Sequence, residues 1–481
     1  MDEDKSTHGL KGPSAPTTIC TLPNELLVQI FCLVCFPNLC TAWDNTNDTP
    51  KFSTALTLVC SRWRQLVKNM PVVLSHVDLL IHRSNDPKHL ALARTYIARA
   101  KQVFLDIHIV HRIDKPAPSS LEDFCNILDL GSPRMRSLTF QQVYYSDYIA
   151  REVLSHCLGH AVPGVLEEIN LVMDGRGGGR RFIKTKDSEI SHSLIPIVIN
   201  HTTSDRLEAM LLSVATLRLC GVFPYWTSNA YCGLVELCLH FRRDGSRTIA
   251  ISQSSLWRIL SSSPKLQILD LSINLTGLAE STAVPIHLDD LQVLRIGSMR
   301  RRQFGHFLKF LFPGSKPLTL CCRGYPDKDI LTDDGIISFF GRASVERIWL
   351  HAVTFVSALQ LLELAPDIRE LALSQLSFSS RPSSFSPLPG AKVPDRIHSL
   401  GPIETLYLLP SCQIDIIALK YMMRSRIQKF LVHHECVLTV DDLPVPPSTL
   451  EKQLAGLYPD LELFYAEKPF DWKIPSFPST I

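Results

Sequence analysis

Ile259-Leu260-Ser261-Ser262-Ser263-Pro264-Lys265-Leu266-Gln267-Ile268-Leu269-Asp270-Leu271 carries three signals in a row. An apolar helical stretch ends, a proline follows, and two residues later an apolar-x-x-apolar-x-apolar string begins. Proline cannot continue a helix, and it biases the residue before it toward extended geometry. The segment therefore reads as a helix, a sharp stop and a strand. The same order recurs at Pro133 after Ile127-Leu128-x-Leu130, at Pro366 after Leu361-Leu362-x-Leu364, and at Pro459 after Leu454-x-x-Leu457.

Strings of the same form recur from about residue 100 onward. They are Met135-x-x-Leu138-x-Phe140, Leu166-x-x-Ile169-x-Leu171, Leu234-x-x-Leu237-x-Leu239, Leu291-x-x-Leu294-x-Ile296, Val345-x-x-Ile348-x-Leu350, Ile368-x-x-Leu371-x-Leu373 and Ile403-x-x-Leu406-x-Leu408. The central residues Leu237, Leu269, Leu294, Ile348, Leu371 and Leu406 lie 32, 25, 54, 23 and 35 residues apart. The widest interval leaves room for one more strand near Leu318-x-Leu320. The pattern resembles the strand of a leucine-rich repeat, whose period is about 20–29 residues and whose alternating apolar residues point into a core. The resemblance implies an irregular leucine-rich-repeat-like solenoid over residues 111–468. A conventional α/β domain with several parallel strands is the alternative.

The composition sets the class. The chain has 481 residues, 45% hydrophobic and 20% charged, with a formal net charge of +2. That is ample material for a folded core and argues against disorder or a nucleic-acid footprint. Met1 to Lys11 is acidic and polar, unlike a secretory signal, and no run of about 18 apolar residues exists to span a membrane. Fourteen cysteines scattered through predicted helices and strands read as reduced core residues. These features place the chain in the cytoplasm, the nucleus or both.

The N-terminal region is different in kind. In Leu22-Pro23-Asn24-Glu25-Leu26-Leu27-Val28-Gln29-Ile30-Phe31, Pro23 suits the first helical position, where its missing N–H has no intrahelical partner. Glu25 lies in the first turn, where the helix dipole favours an anion. Leu26, Leu27, Ile30, Phe31 and Val34 recur at helical spacing, and Leu56, Val59, Cys60, Trp63 and Leu66 repeat the pattern on a second helix. Helices this short and this apolar need a partner surface or the rest of the chain.

The ordered pair of segments resembles an F-box, the short helical module by which one protein plugs into a ubiquitin ligase. Farther on, Pro71-Val72-Val73-Leu74-Ser75-His76-Val77-Asp78-Leu79 is similar to the Pro-x-Leu-Trp-Ser-x-Ile-x-Leu segment that follows the box in a large family of mushroom-forming fungi, with Val73 and Leu74 standing for Leu-Trp. Tyr96 to Ala100 and Phe104 to Ile109 resemble the helix and strand that come next. The resemblance implies an α/β chain made of an N-terminal three-helix F-box followed by the solenoid. It divides as a flexible N-terminus at 1–18, the F-box at 19–72 with an inserted loop at 37–52, a linker helix and first strand at 73–110, a target-binding region at 111–468 and a tail at 469–481. It implies a non-catalytic substrate receptor of a Skp–cullin–F-box ubiquitin ligase, with the Skp adaptor, and cullin through it, as partners beside a protein target. A repeat scaffold that binds Skp without delivering anything is the alternative. Carried over by position, the adaptor-binding candidates are Leu22, Pro23, Leu26, Leu27, Ile30, Val59, Trp63 and Leu66, with Trp63 as the leading anchor. The sequence does not sort those that face the adaptor from those that face the module's own core.

No catalytic, metal or cofactor constellation is expected. Gly175-Arg176-Gly177-Gly178-Gly179-Arg180-Arg181 lacks the ending of either nucleotide fingerprint, and nothing matches Gly-x-Ser-x-Gly or His-Glu-x-x-His. Cys32-x-x-Cys35 has metal spacing but lies on the first helix without a second pair. His433-His434-x-Cys436 reads as strand and turn, and Met299 to Arg302 as a solvated face. Asp174 to Lys186 and the Ser/Pro-rich stretch Gln375 to Gly390, with Ser386-Pro387 inside it, read as surface loops.

Overall fold

Leu269 lies beside Leu237 on one neighbouring strand and Leu294 on the other, in register. The row extends in both directions: Val77, Ile107, Leu138, Ile169, Leu217, Leu237, Leu269, Leu294, Leu320, Ile348, Leu371, Leu406, Phe430 and Leu463 stand side by side on fourteen consecutive strands. From Val77 to Phe430 none is more than 2% exposed. Every pairing in this sheet is parallel, and each strand neighbours the next in chain order.

The computed structural model describes residues 19–35, 52–81, 87–112, 118–144, 146–173, 181–188, 195–241, 250–278, 284–297, 299, 301–323, 333–353, 355–375, 403–410, 412–415, 419, 427–440, 443–444, 452 and 461–466. The sheet is built from His76–Ile81, Leu105–His111, Met135–Gln142, Glu168–Met173, Thr216–Cys220, Glu236–His240, Ile268–Ser272, Val293–Gly297, Leu318–Arg323, Val345–His351, Glu370–Ser374, Thr405–Leu408, Lys429–His433 and Glu462–Ala466. Each named string places its last two apolar residues on one of these strands. The strand at Leu318–Arg323 fills the widest interval. A further string of the same form, Val214-x-x-Leu217-x-Leu219, heads a strand not anticipated from the sequence.

Among the described residues eleven α-helices accompany the sheet. Six matter below: α1 (Asn24–Cys35), α2 (Phe52–Val59), α3 (Ser61–Asn69), α4 (Pro87–Arg99), α5 (Pro118–Gly131) and α6 (Asp147–His160). The apolar row packs against Ile97 of α4, Phe124 and Leu128 of α5 and Val153 and Leu154 of α6 in one continuous core. The prolines stop helices as their chemistry requires. Pro133 sits in the turn Ser132–Arg134 between α5 and the strand that starts at Met135, and Pro264 and Pro366 lie in turns after the helices Gln253–Ser261 and Phe355–Leu364. Arg134 then closes a neighbouring helix end, donating from Nη2 to the Ile97 carbonyl at 2.8 Å. Pro459 lies outside the described residues.

The fold expected from the resemblance is corrected here. The chain is not a three-helix F-box followed by an irregular leucine-rich-repeat-like solenoid; it is an α/β structure whose organising element is one 14-stranded parallel sheet. The helix–Pro–strand units mark the alternation that any parallel α/β sheet needs, because parallel neighbours require a crossover. They carry no information about equal repeats, and the connections differ widely. Between Met173 and Thr216 the chain forms two strands of a separate small sheet, Arg181–Thr185 and Ile195–Ile199, and a helix, Ser204–Leu211. The end of the glycine-rich basic stretch is thus a strand rather than a loop; residues 174–180, like 376–390, lie outside the described residues.

Nor do the N-terminal helices stand apart. Leu27, Phe31 and Val67 share a small core with Val73 and Leu74 from the turn Pro71–Leu74, and Tyr96 of α4 packs against both this core and the main one. Residues 73–110 contribute the first two strands of the sheet together with α4. The N-terminus expected to be flexible (1–18), the expected inserted loop (apart from Phe52, which opens α2) and the expected C-terminal tail fall outside the described residues.

The row defines a sharp contrast in tolerance. Leu269→Asp or Leu371→Asp puts an unpaired charge into the buried row and is expected to cost more than about 4 kcal/mol, seen as loss of the cooperative urea transition. Gln267→Ala and Arg369→Ala, at exposed positions just before the same strands, should change stability by no more than about 0.5 kcal/mol. Equal sensitivity at all four positions contradicts the register.

Candidate functional site

Helix α1 presents two apolar stripes. Leu27 and Phe31 point into the small core and are fully buried. Pro23, Leu26, Ile30 and Leu33, spaced three or four apart, form the other stripe, in which Leu26 is 45% and Leu33 72% exposed. At the end of α2, Leu58 and Val59 add exposed apolar surface, 72% and 58%. The expected adaptor residues thus separate. Pro23, Leu26 and Val59 are exposed, Ile30 is half-buried, and Leu27 belongs to the core. Leu22, Trp63 and Leu66 are half-buried and pack against that core. Trp63 leans on Phe31 with ring centroids 4.7 Å apart, so its ring supports α1 as well as facing outward. Leu33 and Leu58 were not among the expected residues.

Arg62 holds the two sequence segments together. Its guanidinium donates to the Leu22 carbonyl at 2.6 Å and from Nη2 and Nε to Asn24 Oδ1 at 2.7 and 3.1 Å. Cys60 separates α2 from α3 and caps α3, its Sγ accepting from the Trp63 N–H at 3.5 Å. These bonds fix the start of α1 against α3 without covering the outer stripe.

The opposite face of the sheet carries a second row, none of whose members is exposed. Side chains alternate along a strand, so the residues between the buried ones form their own row: Asp78, His108, Thr139, Asn170, Arg218, Cys238, Asp270, Arg295, Cys321, Trp349, Ala372 and Tyr407. Parallel sheets usually bury apolar residues on both faces. Here the second face is polar and charged, and its charges are paired across strands. Arg218 takes Glu236 in a fork, Nε to Oε1 at 2.6 Å and Nη2 to Oε2 at 2.8 Å, and also pairs with Glu168. Burial pulls the Arg218 guanidinium toward losing its proton, but the bonds and charges of the two glutamates outweigh it and hold the proton more firmly. Asp270 receives His240 Nε2 at 2.7 Å and Arg295 Nη1 at 3.3 Å. Burial raises its carboxyl, yet those partners and Arg323 keep it below its ordinary range. Farther along, Trp349 Nε1 donates to Ser374 Oγ at 3.0 Å and the Arg323 guanidinium lies 5.8 Å over the Trp349 ring.

Asp78 anchors the first strands of this face. His76 Nε2 and His108 Nδ1 each lie 3.1 Å from its Oδ1. Burial pushes its carboxyl up, but the two histidine bonds and charges win and hold it down to about 2, against an ordinary 3.8.

The sequence motifs with possible chemistry resolve into packing. Cys32 is half-buried against the small core, and burial raises its thiol. Cys436 donates its thiol to the carbonyls of Leu408 and Leu409 at 3.3 and 2.9 Å, and His433 ends a strand before the turn at 434–435. Met299 is buried, whereas Arg302 is exposed on the helix Arg301–Phe310. Buried Cys321 is pushed up to about 12, mainly by desolvation, which leaves it protonated and unreactive. No helix among the described residues is long and apolar enough to cross a membrane. Compared with known proteins, the sequence matches no family model and no curated relative.

Asp78 makes a pH test possible. Its folded value lies below its unfolded one, so its stabilising effect is fully present above about pH 4 and is lost as the pH falls through about 2. The size is on the order of 2 kcal/mol. In urea titrations, the stability gap between wild type and Asp78→Asn should be largest at pH 5–6 and narrow below pH 4. A gap that does not change with pH contradicts the assignment.

Proposed function

We propose that this chain is the substrate-recognition subunit of a Skp–cullin–F-box ubiquitin ligase, taking the Skp adaptor on its N-terminal helices and a protein target on the rest of the chain. The observation that carries the reading is the exposed apolar side chains of the two segments: the outer stripe of α1, with Leu26, Ile30 and Leu33, and Leu58 and Val59 at the end of α2. They lie in the same segments that resemble an F-box. Burying a leucine side chain from water is worth about 1.5–3 kcal/mol, so two highly exposed leucines and their neighbours suffice to anchor a partner. In this reading the chain does no bond chemistry. It raises the effective concentration of target lysines near a charged ubiquitin-conjugating enzyme.

The test is Leu26→Ala combined with Ile30→Ala in the full chain, assayed by pull-down of purified Skp and of the cullin complex. Loss of two anchors should weaken Skp binding at least about tenfold, with the thermal transition nearly unchanged because neither residue belongs to the small core. Leu27→Ala, in that core, should instead destabilise the N-terminal helices, by about 2–5 kcal/mol. Undiminished Skp binding by the folded double variant rules the reading out. Capture of Skp without cullin by the wild type replaces it with a non-degradative scaffold.

A further inference from the structure

Helices α5 and α6 bring Asp129, His156 and His160 together on a half-exposed surface. His156 and His160 are one helical turn apart on α6 and share one side of it. Both turn Nδ1 toward the same oxygen: His156 Nδ1 lies 2.7 Å and His160 Nδ1 2.9 Å from Asp129 Oδ1. A fourth group stands beside them. The ring of His201 lies 5.6 Å from that of His156 and 5.8 Å from that of His160, centroid to centroid.

The placement of His201 is built rather than incidental. Its backbone is left-handed, with φ of 65°, a costly conformation for a residue with a side chain. Asn200 donates its N–H to Ser155 Oγ at 2.9 Å, tying the turn to α6. Gly159 lets the turn close in, because a Cβ there would lie 2.9 Å from the Asn200 carbonyl oxygen and 3.2 Å from the His201 Cβ. Three separate features thus converge on holding a third imidazole over the His156–His160 pair.

We propose that Asp129, His156 and His160 form a binding site for a divalent transition-metal ion of the zinc type, with the His201 ring packed beside it. Imidazole nitrogen and carboxylate oxygen are the donors that zinc accepts, at about 2.0–2.2 Å each. Four-coordinate geometry at those lengths sets ligand atoms about 3.3 Å apart. The existing contacts need to open by only about half an ångström. An acceptor-only carboxylate requires that both Nδ1 atoms now carry protons, and the ion takes the place of those two protons. The site is 18–38% exposed at its side chains, so an ion can enter without unfolding the helices. The trio His76, Asp78 and His108 also has ligand chemistry, but its side chains are at most 10% exposed on the sheet face. Bound at the surface site, the ion links α5 to α6.

The test uses the full chain, treated with chelator, dialysed, and titrated with zinc sulfate by calorimetry. One tight equivalent should bind and raise the thermal unfolding midpoint, since an ion that binds only the folded state stabilises it. His156→Gln with His160→Gln should remove both the equivalent and the shift, while His108→Gln leaves them unchanged. Cobalt(II) gives a second readout, because replacing its water ligands at this site changes its visible spectrum. If the double variant misfolds, His160→Gln alone decides, at a half-exposed position: loss of the equivalent supports the site and retention overturns it. Absence of any tight equivalent in the wild type overturns it, as does a cobalt spectrum identical to that of the free ion, or equal zinc binding by a folded double variant.

Discussion

The in-register row of leucines and isoleucines on the parallel strands is the constraint on which everything else rests. Each strand places one large apolar side chain beside the next, and the helices close over the row. A slip of one residue in any strand would send its apolar set to the charged face and its charges into the core. The register is therefore enforced by both faces at once. It also fixes which face each polar side chain of a strand takes, so the second row follows directly from the first.

A charged face on a parallel sheet is costly, because strands buried on both sides normally avoid it. The chain offsets that cost by pairing. Arg218 sits between Glu168 and Glu236, Asp270 between His240 and Arg295, and Asp78 between His76 and His108. Each centre is an acidic or basic side chain with two polar partners on the same or neighbouring strands. Such an arrangement loses more when one member is removed than it gains over an apolar face.

Much of the strand positioning was legible because apolar-x-x-apolar-x-apolar strings and stopping prolines act locally. Leu269, Ile348 and Leu371 declare themselves from their nearest neighbours in sequence. The assembly did not, since the interval between strands depends on what lies in the connection, such as the extra strands between Met173 and Thr216. The adaptor candidates show a similar limit. Leu26 and Leu27 are adjacent, yet about 100° of helix rotation sends one to solvent and the other to the core. Only the packing of Phe31 against Trp63 and Val67 sets the origin of that rotation. The charged row was readable in principle at the middle position of each string, at Asp270, Arg295 and Trp349. Asp129, His156 and His201 come from three distant segments, and no local pattern joins them.

Hydrogen–deuterium exchange of the full chain, alone and saturated with purified Skp, tests the central claim most directly. The account predicts slowed exchange confined to residues 22–35 and 57–66, with the strands and their charged face unchanged. Slowed exchange on the sheet strands with none in those two segments would contradict it.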